Sequence, residues 1–326
     1  MLYLTKDHIQ KAISMREMIE SNKKAFAMLT EGKIDSPLRT VINGELGTFL
    51  FMPAYCKGIH AAALKVVNVF PENLKKGLAS SPAQVTLIDG DTGYIKAILD
   101  GTFVTAMRTG AITGAAFDLL AKEHCTVGAL FGTGGQAAMQ LDAMLCSRRL
   151  EKVYVYSRTR SRLEAFCDEM NQRYKSCGTT IIAAASPDEA VEQADLIVTA
   201  TTSPVPVFDA SKVKEGATIS CIGTYEPTKH ELDGNIFTKA GKVICDDKDA
   251  CLSETGDLLI PIKEGLLKES NILGSLGDVV LGNIPKREND HEIIVFESVG
   301  VAALDLFAAG TIYDSAKAKG IGTVLD

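Results

Sequence analysis

At 326 residues the chain is longer than a single hydrophobic core usually grows, so two domains are expected. Hydrophobic residues make up 46% and charged residues 23%, a globular balance, and a formal charge of -7 with no long lysine or arginine run excludes a nucleic-acid partner. The segment Met1–His8 lacks the apolar core of a signal peptide, no membrane-length apolar run occurs, and the eight cysteines are scattered without CxxC or histidine ligand spacing; a cytoplasmic protein with no membrane partner and no metal is expected.

Residues 7–31 place Ile9, Ala12, Ile13, Met18, Ile19, Ala25, Phe26 and Leu29 at helical spacing, and Gly32 ends the pattern, which predicts one helix. Short β-like runs follow at 39–42, 48–52, 61–69 and 83–89, with Asp89-Gly90-Asp91-Thr92-Gly93 as a hairpin turn. Residues 1–100 therefore read as α+β with an antiparallel or mixed sheet. A long helix of small residues spans 103–121.

From Thr126 the pattern alternates. Strands are predicted at 127–131, 153–156, 180–184, 196–200, 218–222 and 242–245, with helices at 136–145, 160–171, 187–193 and 233–240 between them, a doubly wound parallel sheet. The run Ile293–Val295 and the small-residue helix 301–309 have no place in a six-stranded unit, and the pattern alone assigns both to a return into the first domain.

Directly behind the first of these strands stands Gly132-Thr133-Gly134-Gly135-Gln136-Ala137, and a helix follows it. One glycine takes a turn that a Cβ forbids, another lets the backbone approach a pyrophosphate, and the helix start offers N–H groups to the charge. The second strand ends in Ser157-Arg158-Thr159-Arg160-Ser161-Arg162, where an NAD site would carry a carboxylate for the ribose 2′-hydroxyl. Hydroxyl and guanidinium donors at Ser157, Arg158, Thr159 and Arg162 favour NADP(H) over NAD(H). Thr201 and Thr202 after the fourth strand, and Gly223, Thr224 and Tyr225 after the fifth, lie at the carboxyl edge where ligands bind in such sheets.

Three cations sit among apolar or small neighbours in the first half: Arg39, Lys65 and Arg108. A buried cation is costly without a counter-charge. Either a substrate carboxylate supplies it or an internal aspartate or glutamate does.

With these pieces in view, the chain resembles the ornithine cyclodeaminase/μ-crystallin family. The matching residues are Met52-Pro53, Lys65-Val66-Val67-Asn68 with Pro71-Glu72-Asn73, Asp91-Thr92-Gly93, Arg108-Thr109, the glycine run, Gly223 with Pro227 and Glu231-Leu232, Glu254-Thr255-Gly256-Asp257, and Ser298-Val299-Gly300. The resemblance implies an α/β protein: a central Rossmann domain over 123–298, and an α+β substrate-binding and dimerisation domain formed by both chain ends, 1–122 with 299–326. It implies a homodimer acting with NAD(P)(H) on a small carboxylate-bearing imino or amino acid. It puts the substrate carboxylate on Arg39, Lys65 and Arg108, adds Ser80, Lys229 and Val299 on the substrate side, and adds Arg108, Thr109 and Ser298 on the cofactor side.

Two departures narrow the reading. Ornithine-deaminating and alanine-oxidising members carry an aspartate where this chain has Tyr225, and the ornithine enzymes carry a glutamate where it has Leu50. The pattern Gly223-Thr224-Tyr225-Glu226-Pro227 is more similar to that of the family's ketimine reductases. The expected activity is reduction of Δ1-pyrroline-2-carboxylate or Δ1-piperideine-2-carboxylate to L-proline or L-pipecolate, with Lys65, Arg108 and Tyr225 as the catalytic set. The alternatives are ornithine cyclodeamination with recycled NAD, an alanine-type dehydrogenase or reductive N-alkyl amino-acid synthase, and a non-enzymatic μ-crystallin-like binding protein.

Overall fold

The computed structural model describes residues 1–325. The chain divides into two compact units, Met1–Ala111 with the segment from Val301 onward, and Ile112–Gly300. The division falls inside one helix, α3 (Gly101–Leu120), rather than after it.

In the first unit, β1 (Leu2–Leu4) leads into α1 (Lys6–Ala12) and α2 (Met15–Thr30). Strands β2 (Ile34–Asp35), β3 (Thr40–Asn43), β4 (Thr48–Cys56), β5 (Ala61–Val69), β6 (Ala83–Asp89) and β7 (Ile95–Asp100) follow. The chain end returns as α10 (Ala302–Ala318) and β16 (Thr323–Val324). The sheet order is β16-β1-β7-β6-β5-β4-β2, with β3 also on β4; β1 runs parallel to β7 and the other pairs are antiparallel. Alternation sets the two faces. Ala61, Ala63, Lys65 and Val67 point to the buried side of β5, and α10 packs across β4, β5 and β6 while also lying against α2.

The single helix predicted over 7–31 is two. Ile13 is extended, and Ser14 opens α2 by accepting the Glu17 N–H while the Glu17 carboxylate accepts the Ser14 N–H at 2.8 Å. Hydrophobic spacing runs through this break because both helices pack against α10; the Ser-x-x-Glu box is the local signal that divides them.

The second unit contains β8 (Val127–Phe131), α4 (Ala137–Ser147), β9 (Lys152–Tyr156), α5 (Arg160–Arg173), β10 (Thr180–Ala183), α6 (Pro187–Val191), β11 (Leu196–Thr199) and β12 (Thr218–Cys221). It continues through β13 (Ala240–Cys245), α7 (Lys248–Glu254), α8 (Gly256–Glu264), β14 (Ile272–Ser275), α9 (Leu276–Leu281) and β15 (Ile293–Glu297). The order is β10-β9-β8-β11-β12-β15-β13-β14 and every pair is parallel. Two expectations are corrected. The run at 293–295 does not return to the first unit: β15 lies between β12 and β13, and all five of its residues are buried, as a strand covered on both faces must be. The helix predicted over 233–240 is only a 3₁₀ turn at Gly234–Thr238, capped by Asp233, after which β13 begins. Among the described residues no helix is long and apolar enough to cross a membrane.

Candidate active site

The glycine turn after β8 has the shape its sequence demands. Gly132 takes φ of 105°, a left-handed value, and donates its N–H to the Tyr156 carbonyl at 2.9 Å; a Cβ there would stand 2.5 Å from the Ala200 carbonyl oxygen. Gly134 and Gly135 differ. A Cβ on either meets nothing within 4 Å, so open space lies against the backbone where a pyrophosphate would approach. Gln136 precedes α4 without capping it, and its buried Oε1 has no partner in the protein. An uncapped helix start facing a bare glycine backbone fits the diphosphate of a dinucleotide.

At the end of β9, the Thr133 hydroxyl donates to Ser157 Oγ at 3.4 Å, and Thr159 precedes α5 without a side-chain cap. Arg158 and Arg162 are exposed. Arg160 is committed elsewhere, to Glu164 at 2.7 Å and to the Ala184 carbonyl at 3.1 Å.

The loops after β11 and β12 are tied by a carboxylate that the motif analysis quoted without assigning it a role. Glu231 is fully buried and accepts the Thr201 N–H on one oxygen at 2.7 Å and the Gly223 N–H on the other at 2.9 Å. Asp257, at the start of α8, accepts the N–H groups of Glu231 and Leu232, both at 2.7 Å. Thr255 donates to buried Glu297 at 3.1 Å. Burial, and for Glu231 and Glu297 the charge of Asp257, disfavours ionisation: Glu231 is pushed up to about 7, Asp257 to about 6, and Glu297 well above the usual carboxylate range. Thr224 is buried with its hydroxyl bonded to Asp257, and Ser298 donates to Asp246 at 2.6 Å, so both expected cofactor ligands are first of all held by the protein. Thr202 and Tyr225 are exposed, Val299 is half-buried, and Lys229 pairs with Glu226 at 2.6 Å.

In the first unit, Lys65 from β5 and Arg108 from α3 meet on one carboxylate. Lys65 Nζ lies 2.6 Å from Asp305 Oδ2, and Arg108 Nε lies 3.1 Å from Asp305 Oδ1. Lys65 and Asp305 are each 1% exposed. Burial pushes the Lys65 ammonium down to about 7; Arg108 and Arg39 push the same way, and Asp305 opposes them. The counter-charge that the buried cations require is thus partly internal. It is also shared, because Lys65 and Arg108 both draw on the one carboxylate of Asp305. Asn22 steadies α3 by donating to the Arg108 carbonyl at 2.8 Å. Arg39 and Ser80 are half-buried and Thr109 is buried, while Leu50 is packed in the core of the sheet.

Asp305 was not among the sequence-derived site residues. Its one signal was a charge inside the apolar, alanine-rich first half of a helix, and only the return of α10 over β5 makes it the partner of Lys65. Asp257 and Glu297 were likewise missed as buried acids.

The model of the ornithine cyclodeaminase/mu-crystallin family matches residues 1–320. A Δ1-pyrroline-2-carboxylate reductase of Bacillus cereus is 36% identical over 324 residues, 99% of this chain and 98% of that protein. The solved structure of Thermococcus litoralis Δ1-pyrroline-2-carboxylate reductase, in complex with NADH and L-proline, is 40% identical and superposes with a TM-score of 0.94, covering 100% of both chains. An archaeal alanine dehydrogenase dimer with bound NAD is 31% identical, with a TM-score of 0.90 over 100% of this chain and 98% of that one.

Proposed function

The chain belongs to the ornithine cyclodeaminase/mu-crystallin family, and we propose that it reduces cyclic imino acids, Δ1-pyrroline-2-carboxylate or Δ1-piperideine-2-carboxylate, to L-proline or L-pipecolate with a nicotinamide dinucleotide. The observation that carries this reading is the pair of Lys65 and Arg108 on the one carboxylate of Asp305, with Arg39 acting electrostatically on Lys65. The excess positive charge suits a substrate that brings one carboxylate of its own. Lys65, held near neutrality, can give a proton to the imine nitrogen or, when the imine arrives protonated, orient it. A bound NAD(P)H supplies the hydride that converts the C=N carbon to the amine carbon. Arg108 and Arg39 hold the substrate carboxylate, with Ser80, Lys229 and Val299 on the substrate side. The backbone at Gly132, Gly134, Gly135, Gln136 and Ala137 holds the pyrophosphate.

The ornithine-deaminating alternative needs acidic groups that this chain lacks at the two expected places. Leu50 is buried among apolar neighbours on β4, and Tyr225 occupies the loop after β12. A second ammonium group has no partner there. The exposed guanidinium groups of Arg158 and Arg162, with no carboxylate at the end of β9, support NADPH over NADH, with NADH also accepted.

The central unit carries the cofactor, and the unit built from both chain ends carries the substrate and dimerises. Support for a homodimer comes from the second face of its sheet, where Phe51 pairs with Val66, Pro53 with Leu64, and Ile88 with Ala62 beside Tyr55, each at least partly exposed. An apolar sheet face of this kind is covered in a stable assembly.

The test is a panel read at 340 nm. NADH and NADPH are crossed with five- and six-membered cyclic imines, pyruvate plus ammonia, and ornithine. Oxidation of the cofactor with a cyclic imine is the expected result; ammonia release from ornithine without net absorbance change overturns the reading.

A further inference from the structure

We infer that Asp305 is a positioning residue of this site: one carboxylate on α10 holds Lys65 with one oxygen and Arg108 with the other, and thereby keeps Lys65 able to carry a proton. The inference rests on the reductase reading above for its kinetic arm and on geometry alone for its second arm. The three side chains come from three elements, β5, α3 and α10, and Asp305 is an ion-pair partner to two of them at once, at 2.6 and 3.1 Å. The Arg108 guanidinium meets Asp305 at its Nε edge as an ion pair, which fixes the plane of the fork that a substrate carboxylate would meet. The charged groups acting on Lys65 are Arg108, Arg39 and Asp305, and only Asp305 favours the ammonium form. Without it, Lys65 would stand buried beside two arginines and give up its proton.

A merely structural role and a positioning role separate in the kinetics. Asp305→Asn removes the charge and keeps the size. The site becomes more positive, so the KM for an imino-acid carboxylate does not rise, while kcat falls because Lys65 is unprotonated. The basic limb of kcat/KM moves to lower pH by about 1–3 units, the effect of losing an opposite charge at contact distance. Each unit of that shift is about a tenfold loss of the protonated form above the midpoint. Titration of the imine itself is common to both enzymes and cancels in the comparison. Asp305→Glu, which restores the charge, returns the limb toward its wild-type position.

The second arm needs no turnover. Cyanic acid carbamylates only the neutral amine, so the rate at Lys65, followed by mass spectrometry and divided by the cyanic acid concentration at each pH, gives its midpoint in the full-length protein. Asp305→Asn is expected to lower that midpoint; Asp305→Ser, a smaller uncharged variant with the same expectation, serves where the asparagine variant does not fold. An unchanged carbamylation midpoint in the uncharged variants overturns the inference, as does a raised KM with an unshifted limb. If wild type turns over none of the imines yet the midpoint still shifts, the reductase reading fails and the role of Asp305 stands.

Discussion

The glycine turn offers the cleanest separation of folding from cofactor binding, because two of its glycines have opposite reasons for being glycine. Gly134 is not in the left-handed region and has open space where a Cβ would be, so Gly134→Ala leaves the fold within about 0.5 kcal/mol. In the bound state the new methyl stands against the pyrophosphate. Loss of one charge-assisted hydrogen bond costs about 1.5–3 kcal/mol, and each 1.4 kcal/mol is about a factor of ten, so the dissociation constant for NADH or NADPH rises about 10- to 150-fold. Gly132→Ala strains a φ of 105° and pushes a methyl to 2.5 Å from the Ala200 carbonyl, part of the neighbouring strand end. Strain of about 1–3 kcal/mol, at about 2–4 °C per kcal/mol for a unit of this size, lowers Tm by about 2–12 °C in the absence of cofactor. Thermal melting without ligand and fluorescence titration with NADH and NADPH read the two effects apart. A Gly134→Ala protein that binds both cofactors like wild type would refute the assignment of that open space to a pyrophosphate.

Lys65→Met is expected to lower turnover of a cyclic imine by about 10²- to 10⁴-fold while leaving the NADH dissociation constant unchanged, checked by steady-state rates alongside titration. Because Lys65 is held at about 7 and acts protonated, kcat/KM of wild type should be full below that pH and fall as pH rises through it; a rise across the same interval contradicts its role as acid. Glu231→Gln replaces an acceptor pair with one acceptor and one donor, leaving Thr201 N–H or Gly223 N–H unmet at a cost of about 1–3 kcal/mol, seen as a lower Tm. Its pH dependence has a definite sign. The folded protein holds the Glu231 proton up to about 7, above the ordinary value of 4.5, so wild type loses stability relative to the glutamine variant as pH rises through that window, and the Tm gap narrows. Replacing Arg158 and Arg162 together by Ala should raise KM for NADPH and leave KM for NADH nearly unchanged, which initial rates with each cofactor decide.

What could be read from the chain without coordinates was what local geometry dictates. The turn at Gly132 follows from sterics within a few residues, and six parallel strands of the second unit announced themselves as short apolar runs, whereas the short edge strand β14, Ile272-Leu273-Gly274-Ser275, did not. The position of β15 could not be read this way. Its sequence, Ile293-Ile294-Val295-Phe296, is as apolar as any other covered strand, and nothing in it says that it inserts between β12 and β13 rather than joining an edge. The break at Ser14 lies between these cases, since the capping box was present in the sequence and hydrophobic spacing overrode it. The site divides along the same line. Lys65 and Arg108 stood out because a cation among apolar neighbours needs a partner, but the rule offered two partners, an internal acid or a substrate. The structure uses the first without exhausting the second. Asp305, far from Lys65 along the chain, neutralises part of the charge and fixes both cations, and the remainder is what a carboxylate substrate meets. A buried counter-ion is therefore no argument against a binding role for the cations it touches. With Lys65 and Arg108 on one aspartate, that carboxylate is the device that keeps both cations in place until the substrate's own charge completes the balance.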